Sequence, residues 1–180
     1  MSNKLQPLKG MRDILSKEIS VHNHIIDTTR KISQLYGYEE FSTPLIESVQ
    51  IYDRSLGESS DIVSKEMYDF KDKSDRHICL RPEFTASVLR GFISNSLYQS
   101  LPKKLFSYGP VFRYDRPQAG RYRQFHQVNC EYLGDPTPVA DAETIEMAVK
   151  ILDELNILPS VTLQLNSLGC TQTRAKYTQA

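Results

Sequence analysis

Two stretches with strand-like patterning, 105–115 and 122–133, are separated only by the polar run 116–121. A connection that short admits one arrangement, a pair of antiparallel neighbours, because parallel strands need a crossover of a dozen or more residues. The middle of the chain is therefore predicted to be a long β-hairpin, and the other elements have to pack around it.

On the N-terminal side, Ile19, His22, Ile26, Thr29, Ile32 and Tyr36 recur at spacings of three and four, one face of an amphipathic helix that Gly37 would stop. Residues 38–46 read as extended, with Pro44 marking an edge or an irregularity. Val49, Ile51 and Tyr52 suggest a short helix ending near Gly57. Residues 67–70 and 77–80 flank the charged turn 71–75 as a second hairpin, and 85–98, carrying Val88, Leu89, Phe92 and Ile93, reads as helix. After the central hairpin, Pro138 opens a helix with Asp141 and Glu143 in its first turn and Ile145, Val149, Leu152 and Leu155 along its apolar side. The alternation of Val161, Leu163 and Leu165 with polar residues predicts a strand, and 171–180 starts a helical pattern that ends without a stop signal. Hairpins with helices between them imply an α+β fold, an antiparallel β-sheet flanked by helices, in one domain. There is no strict β-α-β alternation, no G-x-G-x-x-G and no G-x-x-x-x-G-K-[ST], so a nucleotide would be bound without a Rossmann turn or a P-loop.

Composition removes several functional classes. A formal net charge of zero gives no bulk hold on nucleic acid, so any basic patch must be local. No apolar run is long enough to span a membrane, and 1–10 lacks the apolar stretch of a secretory signal. Cys79, Cys130 and Cys170 are far apart and form no Cys-x-x-Cys pair, which fits reduced thiols in a cytoplasmic protein. His22 and His24 point in different directions on a helix, so no metal site is expected there.

The local basic patch is in the central hairpin. Arg113, Arg116, Arg121 and Arg123 cluster there, with only Asp115 opposing them. Guanidinium groups are planar, permanently charged forks that match phosphate oxygens, although a solvated turn would explain the charge equally well. Strand periodicity sharpens the choice. If the second strand is regular, Arg123, Phe125, Gln127, Asn129 and Glu131 share one face, and Gln124, His126, Val128, Cys130 and Tyr132 share the other. A face carrying a cation, an aromatic ring, amides and a carboxylate suits a ligand with phosphates, a base and an ammonium group. A β-bulge within 123–131 would break the inference.

These residues carry a family resemblance. Phe112-Arg113-Tyr114-Asp115-Arg116-Pro117-Gln118, Gly120-Arg121-Tyr122-Arg123-Gln124-Phe125-His126-Gln127 and Cys130-Glu131 closely resemble motif 2 of histidyl-tRNA synthetases, about 105–133. Leu80-Arg81-Pro82-Glu83-Phe84-Thr85-Ala86 looks like that family's amino-acid-binding loop, 80–86. Lys9-Gly10-Met11-Arg12-Asp13 resembles its N-terminal signature. Tyr36-Gly37-Tyr38 through Thr43-Pro44 resembles motif 1, about 30–50, whose proline lies at a dimer interface. Ser55-Leu56-Gly57-Glu58, Lys65-Glu66-Met67-Tyr68 and Leu165-Asn166-Ser167-Leu168-Gly169 also fit, in the family's order.

The resemblance implies a class II aminoacyl-tRNA synthetase catalytic domain, with ATP, histidine and tRNA(His) as partners, Mg2+ as cofactor, and a homodimer as the assembly. It implies that Arg113 binds the α-phosphate and the histidine carboxylate and is the catalytic residue. Arg121 would reach the outer phosphates, Phe125 would stack on adenine and Asp115 would lie near the adenine edge. Glu83, Gln127 and Glu131 would hold the α-ammonium, with Thr85 beside them. Members of the family often carry glutamate where this chain has Asp115, so contact with the base through a water is expected there. Two other readings compete with this one: a synthetase-like regulatory subunit of ATP phosphoribosyltransferase, and a nucleic-acid-binding module using the arginine loop. The second leaves Glu83 and Glu131 without a purpose.

The family's motif 3, its imidazole-recognising segments and its anticodon-binding domain have no counterpart in residues 1–180, so the chain is expected to be the N-terminal part of the catalytic domain. On that expectation the 180-residue chain alone supports little or no histidine-dependent pyrophosphate exchange; exchange at the rate of an intact synthetase would overturn it.

Overall fold

The computed structural model describes residues 5–56 and 66–166. At its centre the strands β5 (Lys103–Phe112) and β6 (Gln124–Leu133) pair antiparallel from Lys103↔Leu133 to Phe112↔Gln124 without a break in register. The predicted hairpin is present, shorter at its loop end by the residues that turn away to form the loop.

The elements before the hairpin are α1 (Ser16–Leu35), β1 (Glu39–Glu40), β2 (Ile46–Ser48), α2 (Val49–Leu56), β3 (Tyr68–Lys71), β4 (His77–Leu80) and α3 (Thr85–Ser94). After it comes α4 (Pro138–Glu154). The strands form two sheets, β1-β5-β6 and β2-β4-β3. All pairings are antiparallel except β1 with β5.

The first helix ends as its sequence requires. Gly37 takes φ +80, Gly37 N–H donates to Gln34 O and Tyr38 N–H reaches back to Ser33 O at 2.9 Å, which satisfies carbonyls left open by the last turn. The extended segment predicted over 38–46 splits at Pro44. Its first part joins β5, where Glu39 pairs with Leu105, and its second part joins β4, where Ile46 pairs with Leu80. A proline has no N–H for a ladder, so the chain leaves one sheet there and enters the other.

The hairpin β3–β4 closes on Asp72, whose Oδ1 accepts the N–H groups of Ser74 and Arg76. Helix α3 stops at Ser94, short of the predicted Tyr98. Asn95 Nδ2 donates to Gly91 O and Ser96 turns left-handed at φ 56, so the chain continues as a 3-10 turn, Leu97–Ser100. Asp135 Oδ1 accepts both the N–H and the hydroxyl of Thr137 just before Pro138, fixing the entry to α4.

Residues 161–166 differ from expectation. They are extended and exposed but form no ladder, because no described strand lies beside them to accept their hydrogen bonds. The helical pattern at 171–180 falls outside the described residues.

The two faces of the β5–β6 ladder do different work. On one face, Phe106 joins Ile32, Tyr38 and Met147 in a core that brings in Cys130 and Ile151, so α1 and α4 cover this side. Arg30 of α1 donates to Tyr108 Oη at 3.0 Å, and Lys104 pairs with Glu143 of α4. On the other face, Leu105 and Val111 pack with Phe84 and Val88, and Phe125 lies against this second core. A third cluster, Val49, Tyr52, Cys79 and Ala86, fills the space between α2, α3 and β4. Burial pushes the Cys79 thiol up to about 12 and the Cys130 thiol up to about 11, so both stay protonated and poorly nucleophilic at neutral pH. No helix among the described residues is long and apolar enough to cross a membrane.

Met147 is 1% exposed and fills the layer between α4 and the sheet. Truncating it in Met147→Ala removes buried volume that neighbours on three elements cannot refill, at an expected cost of about 2–5 kcal/mol in urea denaturation of the intact protein. A loss under about 1 kcal/mol would mean that α4 is not held by this core.

Candidate functional site

The face that α1 and α4 leave free is where the candidate residues collect. Because the ladder has no bulge, Phe125, Gln127, Asn129 and Glu131 point to this one side, opposite Val111, Gly109, Ser107 and Leu105. Asn129 Nδ2 donates to Glu131 Oε1 at 3.1 Å, which fixes that carboxylate along the strand. Gln127 Oε1 is buried without a hydrogen-bond partner. A buried acceptor left open costs free energy unless a donor arrives, and a ligand N–H is such a donor.

Arg123 departs from the expected row. Strand β6 begins one residue later, and Arg123 turns back into the base of the loop. Its Nε donates to Asp115 O at 3.1 Å, its Nη1 to Lys9 O at 3.4 Å, and its guanidinium lies 3.7 Å over the Tyr114 ring. Arg123 N–H also donates to Gly10 O. Its cation is spent on joining the N-terminal segment to the hairpin. The regular strand starts at Gln124, one residue after Arg123.

The loop end of the hairpin forms a cleft of about 490 Å³ lined by Glu66, Arg113, Asp115, Gly120, Arg121, Tyr122 and Phe125. Arg113 Nε donates to Pro82 O at 3.0 Å, and its guanidinium stands 5.3 Å over the Phe125 ring. Arg121 Nη1 lies 2.8 Å from Asp115 Oδ2, across a tight turn in which Gly120 takes φ +77. The structure therefore gathers Arg113, Asp115, Arg121 and Phe125 at one opening. Arg116 is not among the lining residues; its N–H donates to Asp115 Oδ1.

Glu83 and Thr85 come from a different part of the fold. Glu83 is 9% exposed, and its two carboxylate oxygens accept the N–H groups of Thr85 and Ala86, capping α3. The segment is seated against the same sheet face. A Cβ on Gly109, the residue paired with Gln127, would fall 2.7 Å from Arg81 Nη2 and 3.7 Å from Phe84 Cζ. The segment carrying Arg81 and Phe84 and the Gln127 row are thus neighbours, joined through Gly109.

Two residues went unassigned in the sequence. Glu66 lines the cleft and its carbonyl accepts Tyr114 N–H; only its place in a motif pointed to it. Arg81 is 3% exposed, with its guanidinium 4.0 Å over the Phe84 ring, and burial lowers its pKa from the ordinary arginine value. Nothing in the sequence marks an arginine as buried. His126 lies on the opposite sheet face, as expected, with its ring 4.9 Å from that of His22 and edge-on to it. Burial, with His22 alongside, lowers its pKa below the ordinary imidazole value. No group of three or more His, Cys, Asp or Glu side chains among the described residues could hold a metal ion.

Comparison with known proteins places this arrangement. The histidyl-tRNA synthetase family model matches residues 10–177. A histidine–tRNA ligase of Rickettsia bellii (strain RML369-C) is 57% identical over 179 residues, covering 99% of this chain and 43% of that protein. The corresponding ligase of Rickettsia canadensis (strain McKiel) is 55% identical with the same coverage. The chain thus spans less than half the length of the curated relatives it matches. Among solved structures, apo histidyl-tRNA synthetase of S. aureus superposes with a TM-score of 0.71 at 34% identity, over 84% of this chain and 35% of that one. A structure described as an ATP phosphoribosyltransferase regulatory subunit/histidyl-tRNA synthetase, from Bacillus halodurans C, gives 0.73 at 26% identity, over 84% and 38%.

Asp115 pairs with Arg121 at the cleft. Asp115→Asn in the intact protein should therefore tighten binding of tripolyphosphate, a probe with no base, by about 0.2–1 kcal/mol at low salt. The gain should shrink as salt rises. Calorimetric titration showing weaker binding would mean that the pair orders Arg121 rather than masking it.

Proposed function

The chain belongs to the histidyl-tRNA synthetase family, and we propose that it carries part of the active site of a histidine–tRNA ligase, which activates histidine with ATP and passes it to tRNA(His). The observation that carries the proposal is the meeting of two chemically different sets on one sheet face. Cations stand at the loop end of the hairpin, and acids and amides stand along β6 and in the segment before α3.

In this reading Arg113 holds the α-phosphate and the histidine carboxylate together. Its guanidinium is already oriented by Pro82 O, so little order has to be created when substrate arrives. Arg121 takes the outer phosphates, exchanging Asp115 for them, and Phe125 offers its ring to adenine while Asp115 faces the base edge through a water. Glu83, Gln127 and Glu131, with Thr85 beside them, hold the α-ammonium; the open acceptor Gln127 Oε1 supports that role.

A histidine carboxylate oxygen attacks the α-phosphorus in line. A phosphorus–oxygen bond forms there as the bond to the bridging oxygen breaks, and pyrophosphate leaves with that electron pair. Negative charge grows on the non-bridging α-phosphate oxygens, where a fixed guanidinium lowers the barrier. The terminal ribose hydroxyl of tRNA(His) then attacks the carbonyl carbon of the adenylate and AMP departs. Mg2+ would enter with ATP, held chiefly by the phosphates and supplying charge neutralisation there. Among the described residues that line the cleft, Glu66 and Asp115 offer a carboxylate to it.

A homodimer, formed through the motif 1 region, and a cytoplasmic location belong to the same proposal. The regulatory-subunit alternative is less favoured. Such a protein has no use for the whole set Glu83, Thr85, Arg113, Arg121, Phe125, Gln127 and Glu131, all present here.

The intact protein should exchange labelled pyrophosphate into ATP only when histidine is supplied. Arg113→Ala should lower kcat by about 10²–10³, the effect of losing one fixed donor to a developing oxyanion. Glu131→Gln should raise KM for histidine with little change in KM for ATP. Equal stimulation by other amino acids, or an Arg113→Ala variant with unchanged kcat, would overturn the reading.

A further inference from the structure

We propose that Arg81 is a positioning residue that sets the separation between the histidine-ammonium subsite and the α-phosphate subsite, acting through Glu83 and Arg113 without touching either substrate. The inference rests on the activity proposed above and adds a residue to which no role has been given.

Arg81 lies at the seam between the two sheets. Its N–H donates to Leu45 O, beside β2, and its own carbonyl accepts Phe112 N–H at the end of β5. The guanidinium repeats this bridge inside the protein. Nε donates to Pro110 O of β5 at 2.9 Å, and Nη1 donates to Thr43 O at 3.0 Å and Thr43 Oγ1 at 3.3 Å. Its flat face rests on the Phe84 ring, and Nη2 occupies the space that a side chain at residue 109 would need. Gly109 itself has φ +145, a backbone conformation that excludes most other residues and leaves that space open.

What this cation fixes follows from the next two positions in the chain. The carbonyl of Pro82 receives Arg113 Nε, and Glu83 is the carboxylate assigned to the ammonium. Arg113 itself follows Phe112, whose N–H is already on Arg81 O. Without the guanidinium's bonds to Pro110 and Thr43, the Glu83 segment would be tied to β5 only through the Phe112–Arg81 and Arg113–Pro82 bonds, and the distance between Glu83 and Arg113 would loosen. In-line attack needs the carboxylate oxygen and the α-phosphorus in near contact, and a misplacement of about 1 Å can cost about a hundredfold in rate. Lysine keeps the charge but not the planar fork, so it cannot serve Pro110 and Thr43 from one rigid plane.

The test uses the intact protein and histidine-dependent pyrophosphate exchange, with sites counted by the burst of adenylate formation. Arg81→Lys should lower kcat per active site by about tenfold to a hundredfold, while KM for histidine and KM for ATP each change by less than about threefold. Gly109→Ala presses on Nη2 from the opposite side and should give the same split, which keeps the test open if Arg81→Lys folds poorly. A loss of active sites with kcat per site unchanged in both variants would show a merely structural role and overturn the proposal. So would a rise in either KM with kcat preserved. Wild-type protein lacking histidine-dependent exchange would instead sink the proposed activity, a result distinct from an active wild type with active variants.

Discussion

The β5–β6 ladder is the constraint on which the rest of the molecule depends. Ten residues of each strand pair in one unbroken register, so side-chain alternation runs without error from the loop to the far end. That alternation sends Phe106 and Cys130 to the side that α1 and α4 cover. It sends Phe125, Gln127 and Glu131 to the side that α3 and the segment before it approach. A shift of one residue in either strand would exchange the two sets and bury the carboxylate row against a helix layer. The fold and the candidate site are therefore specified by the same hydrogen bonds.

Much of this was legible because the period of the sequence and the period of the structure agree. The α1 stop at Gly37, the two hairpins, the helix opened by Pro138 and the shared face of Phe125, Gln127 and Glu131 all follow from local pattern and local chemistry. The misses have a common physical origin in partners remote in sequence. Arg123 looked like the first member of the row, but Lys9, Gly10, Tyr114 and Asp115 draw it into the loop base. Residues 161–166 have the alternation of a strand, yet a strand exists only where another offers its edge. Nothing in the sequence marks Arg81 as buried, yet Thr43, Phe84, Gly109 and Pro110 close around it. The start of α3 at Thr85 is legible in the sequence, but the turn of the Glu83 carboxylate onto the N–H groups of Thr85 and Ala86 is not.

Electrostatics separates the two ends of the site. Arg113 and Arg121 stand at an open cleft, where water screens them and where Asp115 can be exchanged for a stronger anion. Glu83 lies deep, with both carboxylate oxygens accepting N–H groups from the first turn of α3. A phosphate chain can thus dock and leave at the exposed end, while the buried end accepts a group of fixed size and charge. For the proposed reaction, which releases pyrophosphate and retains the activated amino acid, that gradient runs in the useful direction.

The distribution of buried charge bears on why the two sheets meet as they do. Among the described residues the buried charged side chains are Glu47, Arg81 and Glu83, and all three lie near the junction of β2, β4 and α3 with the central hairpin. Each is paired locally: Glu47 with Arg90, Arg81 with Pro110 and Thr43, Glu83 with the N–H groups of α3. Stability alone does not require this, since apolar side chains of similar volume often serve as well or better where a buried ion pair can be replaced. What charged and hydrogen-bonded groups add is direction, because they fix angles and distances that apolar contacts leave soft. A seam that has only to hold would be greasy. A seam that has to keep an acid and a guanidinium at a set distance, across two sheets that share no ladder, needs groups with directional bonds, and Arg81 provides them in both directions at once.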